Sequence, residues 1–460
     1  MPVNSQHKNY AAYIRKTKKV IDCYNSLDES SGAEHIVKRP SEKDDDIAHQ
    51  LRTTRAIFTN YVKRTAQGLV GAVFRKSPNI ELPPSTEHLM EDADSSGRSL
   101  SQFMKDGLTK QIRDGFFCLI AEYPALDRPI TLEEQKRSGV RSYLTMRDGA
   151  SVINYRMANI NGRYSLSMIV FKESIAKATP DDPFIDKCED QFRVLEMIDG
   201  AYHVSVYDNK FKRLEGYPKK PRAAGQSLDH IPVYFVGAES NLPEYQDSPL
   251  YDIAIINIGH YRNSADQETN LSIHAGGTLI LKTEKSSEDF QASNPSGLRV
   301  GDNSAVLLET EGGAELLQLD AAQAIDTAME QKEKRIVQIG AKIIEKGSGN
   351  ETAEAARIRA AGEHSMLDDI VMNLESGFKK AMMDCAAFDG GDPDAVRISV
   401  NRKYWWEKLD AQEAMALIAM IDARLLRRKR AVEMLQESGI EDAEETVDNI
   451  IQLIDNDNPV

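Results

Sequence analysis

Two periodicities divide this chain. Between residues 115 and 236 apolar positions alternate with polar ones or form short unbroken runs. From residue 248 onward they recur every three or four positions. The first pattern predicts strands and the second predicts helices. Gly115–Tyr123 reads as a buried strand. Tyr143–Met146, Ser165–Phe171, Gln191–Met197 and Tyr202–Tyr207 read as further strands, rich in β-branched and aromatic residues. Asp199-Gly200 suits a hairpin turn between the last two. Upstream, Asp44–Asp46 would sit at the positive end of a helix running over 46–72, and a second helix is predicted over 99–113. Prolines 78, 83 and 84 break the chain between them, and prolines 218, 221 and 232 mark loops. The first half is therefore α+β.

The second half predicts long helices. Ser248-Pro249 is a helix start, and Leu250, Ile253, Ala254, Asn257, Tyr261 and Ala265 fall on one face of a helix reaching about His274. Its length is ~40 Å at 1.5 Å per residue. Gly276-Gly277 ends it. Short strands are predicted at 278–282 and 304–308, around a polar loop. A second long helix runs over 320–346, with Ile325, Met329, Ile336, Ile339 and Ile343 as its apolar stripe. Lys332, Arg335, Lys342 and Lys346 lie beside that stripe within ~80° of arc. Gly347, Ser348, Gly349 and Asn350 make a flexible break. A third helix follows over 351–388, with Gly362 and Gly377 as places where it can bend. A strand at 396–400 and a helix over 411–436 come next. That last helix carries the basic cluster Arg424, Arg427, Arg428, Lys429 and Arg430, and acids dominate 441–457 in a short helix and tail.

Composition narrows the function. The 460 residues are 41% hydrophobic and 28% charged, a soluble globular balance, with a net charge of -15. Such a chain is not expected to coat DNA or an anionic membrane, because phosphate binding needs positive surface. No run of 18 apolar residues predicts a membrane span, and the N-terminus lacks the apolar stretch of a secretory signal. The four cysteines lie far apart with no C-x-x-C, so they read as free and mostly buried thiols.

Enzyme motifs fail for physical reasons. Gly71–Ser77 has the Lys-Ser of a phosphate loop without the glycine that lets backbone wrap a phosphate. Asp92–Gly97 opens like a calcium loop, but Phe103 stands where a bidentate glutamate is needed, so an Asp-rich turn before the next helix is expected. His260 and His274 are too far apart on one helix to share a metal within one chain. No catalytic residue, metal or cofactor is expected.

The order long helix, small β excursion, long helix, glycine break, longer helix resembles a tailed-bacteriophage portal protein. Local strings sharpen the resemblance: Tyr61–Pro78, Pro221–Pro232, His260-Tyr-Arg-Asn-Ser-Ala-Asp266 and Glu351–Ala356 are similar to a phage family long labelled a domain of unknown function, over roughly residues 50–400. The resemblance implies an α+β portal fold and a ring, commonly of twelve subunits, at one capsid vertex of the virion, made in the host cytoplasm. The implied parts are a polar N-terminal arm (1–45), an α/β wing (46–247), a first stem helix (248–276), a clip (277–318), a second stem helix (319–346), a tunnel loop (347–350), a long wing helix and strand (351–404), and a short helical crown with acidic tail (405–460). Implied partners are copies of itself, the terminase large subunit, the head-to-tail adaptor, major capsid and scaffold proteins, and double-stranded DNA in transit. No membrane partner is implied.

Each implied role has a plainer competitor. The stripe Lys332, Arg335, Lys342 and Lys346 faces DNA or pairs with acids of the adjacent subunit. The 424–430 cluster meets DNA or pairs with the nearby acidic tail, and the tail is favoured. Trp405 and Trp406 read as core anchors rather than base-stacking platforms. His260 and Arg262 are candidates for subunit contacts. Two other function classes remain: an adaptor or scaffold, and a phage enzyme such as a nuclease. The strand-rich 140–236 segment argues against an adaptor or scaffold, and a nuclease would need a clustered metal or acid/base set.

Overall fold

A computed structural model describes residues 2–39, 47–124, 140–160, 162–179, 182–223, 226–276, 278–282, 313–317, 322–344, 366–402, 404, 427, 429–430, 432 and 446–457. The chain divides into two compact units, residues 1–70 with 78–399 and residues 71–77 with 400–460. The fold is mixed helix and sheet, as the two periodicities predict.

The larger unit opens with α1 (Tyr10–Asn25), α2 (Glu29–Ala33), α3 (Ile47–Arg55) and α4 (Tyr61–Val73, whose last turn lies in the smaller unit). The first 45 residues, read only as polar, thus hold a helix that buries Tyr13, Val20 and Cys23. The single helix expected over 46–72 is two helices. Their break is held by side chains from far along the chain, described below. The strand β1 (Asn79–Glu81) and the helix α5 (Leu100–Asp114) follow, with Ser99 accepting the Gln102 N–H as N-cap. Before α5, the acidic turn caps itself: Asp92 accepts the Gly97 N–H at 2.8 Å and Asp94 accepts the Ser96 N–H at 3.1 Å.

The core is built on β2 (Phe116–Glu122), β3 (Tyr143–Asp148) and β10 (Val233–Gly237), an antiparallel sheet in the order β10-β2-β3. Phe116 and Phe117 point to opposite faces, and both are fully buried. Phe117 faces Phe378 of the later helix α8 (Met366–Phe388), while Phe116 meets Tyr13, Phe235 and Tyr245. A second antiparallel sheet contains β4 (Val152–Ile160), β5 (Arg163–Thr179), β6 (Asp182–Ile198) and β7 (Ala201–Tyr207), in that order. Asp199 and Gly200 both take positive φ at the β6–β7 turn, as the dipeptide predicts. β5 and β6 run well beyond the predicted strands. A short ladder of β8 (Arg222–Ala223) and β9 (Gln226–Ser227) precedes β10.

Then come the long helix α6 (Tyr251–Gly276), β11 (Thr278–Lys282), β12 (Gly313–Leu317), α7 (Ala322–Ile344), α8 and β13 (Arg397–Ser399), which pairs with β1. β11 and β12 pair antiparallel from Thr278↔Leu317 to Lys282↔Gly313. The strand expected at 304–308 lies outside the described residues, and the described partner of β11 is 313–317. Gly377 does not end α8. A Cβ there would lie 2.5 Å from Val236 Cγ2, so glycine lets α8 approach β10 closely.

In the smaller unit, Asn401 donates to Ala72 O and Val73 O, and α9 (Val447–Asp457) forms the expected short acidic helix. Trp405, Trp406 and most of the helix expected over 411–436 lie outside the described residues. No helix among the described residues is long and apolar enough to cross a membrane.

Candidate functional site: a buttressed helix pair

α6 is the better buried of the two long helices. Leu250, Ile253, Ala254, Asn257, Tyr261 and Ala265, the face predicted from spacing, are all at most 2% exposed. Tyr261 stands edge-on to Phe58 and covers Gly32, where a Cβ would meet its hydroxyl.

The polar residues of α6 are anchors for the N-terminal segments. Asn257 accepts the Tyr61 N–H at 3.2 Å and donates to Thr59 O at 2.9 Å. Ser264 Oγ accepts the Ile57 N–H at 3.0 Å. These two residues satisfy the backbone groups freed where the chain turns between α3 and α4, and Asn60 caps α4 by accepting the Lys63 N–H. Arg262 Nε donates to His35 O at 2.7 Å. Asp266 accepts from Arg39 at 2.7 Å and from the buried Arg52 at 3.3 Å, and Arg52 also donates to Val37 O. The string His260–Asp266, which carries part of the family resemblance, therefore works within one chain. His260 and Arg262, candidates for subunit contacts, both have partners here inside the chain.

α7 packs on α6 and is joined to it by few polar links. Glu333 Oε1 accepts from the Tyr61 hydroxyl at 2.7 Å and faces His260 Nε2 at 3.2 Å. That contact places the imidazole hydrogen on Nε2, as assigned from the hydrogen-bond network. His260 Nδ1 is buried and has no hydrogen-bond partner among the described residues. Burial lowers the His260 pKa, with Lys332 adding to that and Glu333 opposing it. Burial first, then the neighbouring Glu333, pushes the Tyr61 hydroxyl up to about 12. Further along, Gln267 donates to Asp326.

The basic stripe is placed only in part. The Lys332 stem lies against Gly259, where a Cβ would be 3.3 Å from its Cε. Burial, then Arg335, lowers the Lys332 pKa. Arg335 is exposed, and Lys342 is on α7. Lys346 and the loop Gly347, Ser348, Gly349 and Asn350 lie outside the described residues. Of the other cluster, Arg424 and Arg428 lie outside them, while Arg427, Lys429 and Arg430 are exposed. Lys429 is 3.1 Å from Asp448 of α9, a solvated ion pair between the cluster and the acidic tail.

Glu333, Tyr61 and the pair Arg52–Asp266 were not singled out from the sequence. The signal for Asp266 was present in the unusual string that contains it. Nothing in the local pattern marks Glu333, one of several acids on an amphipathic helix. Three of the four cysteines, Cys23, Cys118 and Cys385, are buried, and Cys188 is exposed. No group of three or more metal-ligating side chains occurs among the described residues.

Residues 249–388, from the start of α6 to the end of α8, match the family model described as a domain of unknown function, DUF4055. No curated protein matches the chain. Among solved structures, the chain is similar to a component of the neck of a native GTA particle computed with C12 symmetry. The identity is 14%, the match covers 88% of this chain and 98% of that one, and the TM-score is 0.34.

Proposed function

We propose that this chain is the subunit of a phage portal. In this reading, copies form a ring channel at one capsid vertex. Double-stranded DNA is driven in through it by terminase and later leaves through it, and the same ring is the attachment site for the tail. The observation that carries the reading is the order and packing of α6, β11–β12, α7 and α8. Two long helices lie against each other, a small antiparallel ladder follows the first and precedes the second, and a third long helix follows. That order supports the stem, clip, stem and wing assignments of the family resemblance.

The chemistry of a conduit differs from that of a binder. Each phosphate contact by Lys or Arg adds affinity that must be broken at every step of DNA movement. A charge of -15 per chain becomes about -180 in a twelve-fold ring, which disfavours gripping and leaves DNA mobile. A few basic positions then centre the duplex. Lys332, Arg335, Lys342 and Lys346 on the second stem helix, and Arg424, Arg427, Arg428, Lys429 and Arg430 in the crown, are the candidates. Residues 347–350 form the tunnel loop that touches DNA. The clip meets the terminase large subunit and then the head-to-tail adaptor, and the wing meets capsid and scaffold proteins.

The test is genetic. A phage whose gene for this chain carries a stop codon should make capsids with neither packaged DNA nor tails. Normal packaging without the chain would refute the reading. Deleting 347–350 should change packaging rate, DNA retention or packaged length. If all three stay as in the wild type, the tunnel-loop role is lost.

A further inference from the structure

The sheet β4-β5-β6-β7 changes width along its length. β4 pairs with β5 only as far as Val152↔Phe171, and β7 pairs with β6 only as far as Phe192↔Tyr207. β5 and β6 continue together from Lys172↔Phe192 to Thr179↔Asp182. Eight residues of β5 at ~3.3 Å each give a two-stranded ribbon about 25 Å long. Among the described strands, none pairs with the outer side of either strand in this stretch. A two-stranded ribbon is marginal in water by itself, and an open edge is a template for another strand.

The two edges differ in charge. On β5, Lys172 and Lys177 outweigh Glu173, a net of +1; on β6, Asp182, Asp186, Glu189 and Asp190 outweigh Lys187, a net of -3. Glu173 is moreover turned to Arg147 and Arg193 at the ribbon's base, within 3.0 Å of each. Lys172 and Asp190 already pair across the ribbon at 2.8 Å, which leaves a basic residue on one edge and acids on the other.

We infer that the ribbon docks edge to edge on the ribbon of a second copy, β5 of one copy against β6 of the next. Opposite charges on adjoining strands stabilise the pair and like charges oppose it, so β6 against β6 is disfavoured. Pairing unlike edges is a heterologous contact, the kind that generates a ring when the rotation closes. The inference rests on the ring reading above and adds the surface through which neighbours join.

Cys188 makes this testable, because it is the one exposed cysteine of the four and sits on the ribbon opposite Ala176. The native full chain is treated with a maleimide as dilute monomer and as assembled oligomer. Modification of Cys188 should slow at least tenfold on assembly. In a second arm, residues 176–188 are replaced by Asn-Gly, closing the hairpin at the Ile175↔Glu189 pair. The variant should keep the wild-type circular dichroism as monomer and need at least tenfold more protein to assemble. Equal Cys188 rates in both states, or an unchanged assembly concentration, would overturn the inference while leaving the ring intact. A chain that stays monomeric at every concentration would overturn the ring reading as well. If the shortened chain does not fold, the labelling of the intact chain decides.

Discussion

α6 and α7 are helices of similar length, 26 and 23 residues, and they lie side by side, yet the chain treats them differently. α6 is enclosed. Its apolar face is buried, and Asn257, Arg262, Ser264 and Asp266 each satisfy or fix part of the N-terminal segments. α7 is amphipathic and covers one side of α6. It is linked to the body by Glu333 and Asp326, and it leaves Arg335 and Val337 exposed. The difference teaches that one helix is scaffold and the other is surface. A function that needs a long helical face toward a partner falls on α7.

Substitutions on α6 should therefore cost most. Tyr261→Ala removes a 2%-exposed ring from between Phe58 and Gly32. It should lower unfolding free energy by about 3–5 kcal/mol in denaturant titrations. Asn257→Leu keeps approximate volume but strands the Tyr61 N–H and the Thr59 carbonyl, at a cost of about 2–4 kcal/mol by the same measurement. On α7, Glu333→Gln should cost at most ~1 kcal/mol, because the carboxylate is 46% exposed and solvent screens its contacts. A larger loss at Glu333 than at Asn257 would reverse the comparison.

The smallest effects are pH-dependent, and they separate two histidines by sign. His260, between α6 and α7, has its pKa lowered by burial below the usual 6.5. The unfolded chain then binds the proton more readily, so stability falls as pH drops through 6.5 toward the lowered value. His230, outside the helix pair, is raised to about 9, first by its hydrogen bond to Asp384. Its contribution is fully present below 6.5 and is lost as pH rises through about 9. Stability profiles of His260→Gln should diverge from wild type below pH 6.5, and those of His230→Asn should converge with it above about pH 9. Parallel profiles across the whole range would contradict both assignments.

The elements that depend on local pattern were readable from the chain. The buried face of α6, the strand at β2, the β6–β7 turn and the N-cap of α5 all follow from spacing or a single dipeptide. What was not readable depends on distant partners. The run over 46–72 is helical by local rule, and it breaks because Asn257 and Ser264, some 200 residues later, take its backbone groups. Gly377 looks like a bend until Val236 is placed beside it. The ribbon of β5 and β6 has mixed polar sequence with no burial to give it a period. At the candidate site the basic stripe was visible as a pattern, but Glu333, which holds α7 to α6 and α4, was indistinguishable from its acidic neighbours.

The central claim is that copies of this chain assemble around a channel. It is tested most directly by imaging the purified full chain by electron microscopy, with its mass measured in solution. The account predicts closed rings with a central opening and a mass that is a fixed multiple of one chain. Compact monomers at every protein concentration, or solid particles with no opening, would contradict it.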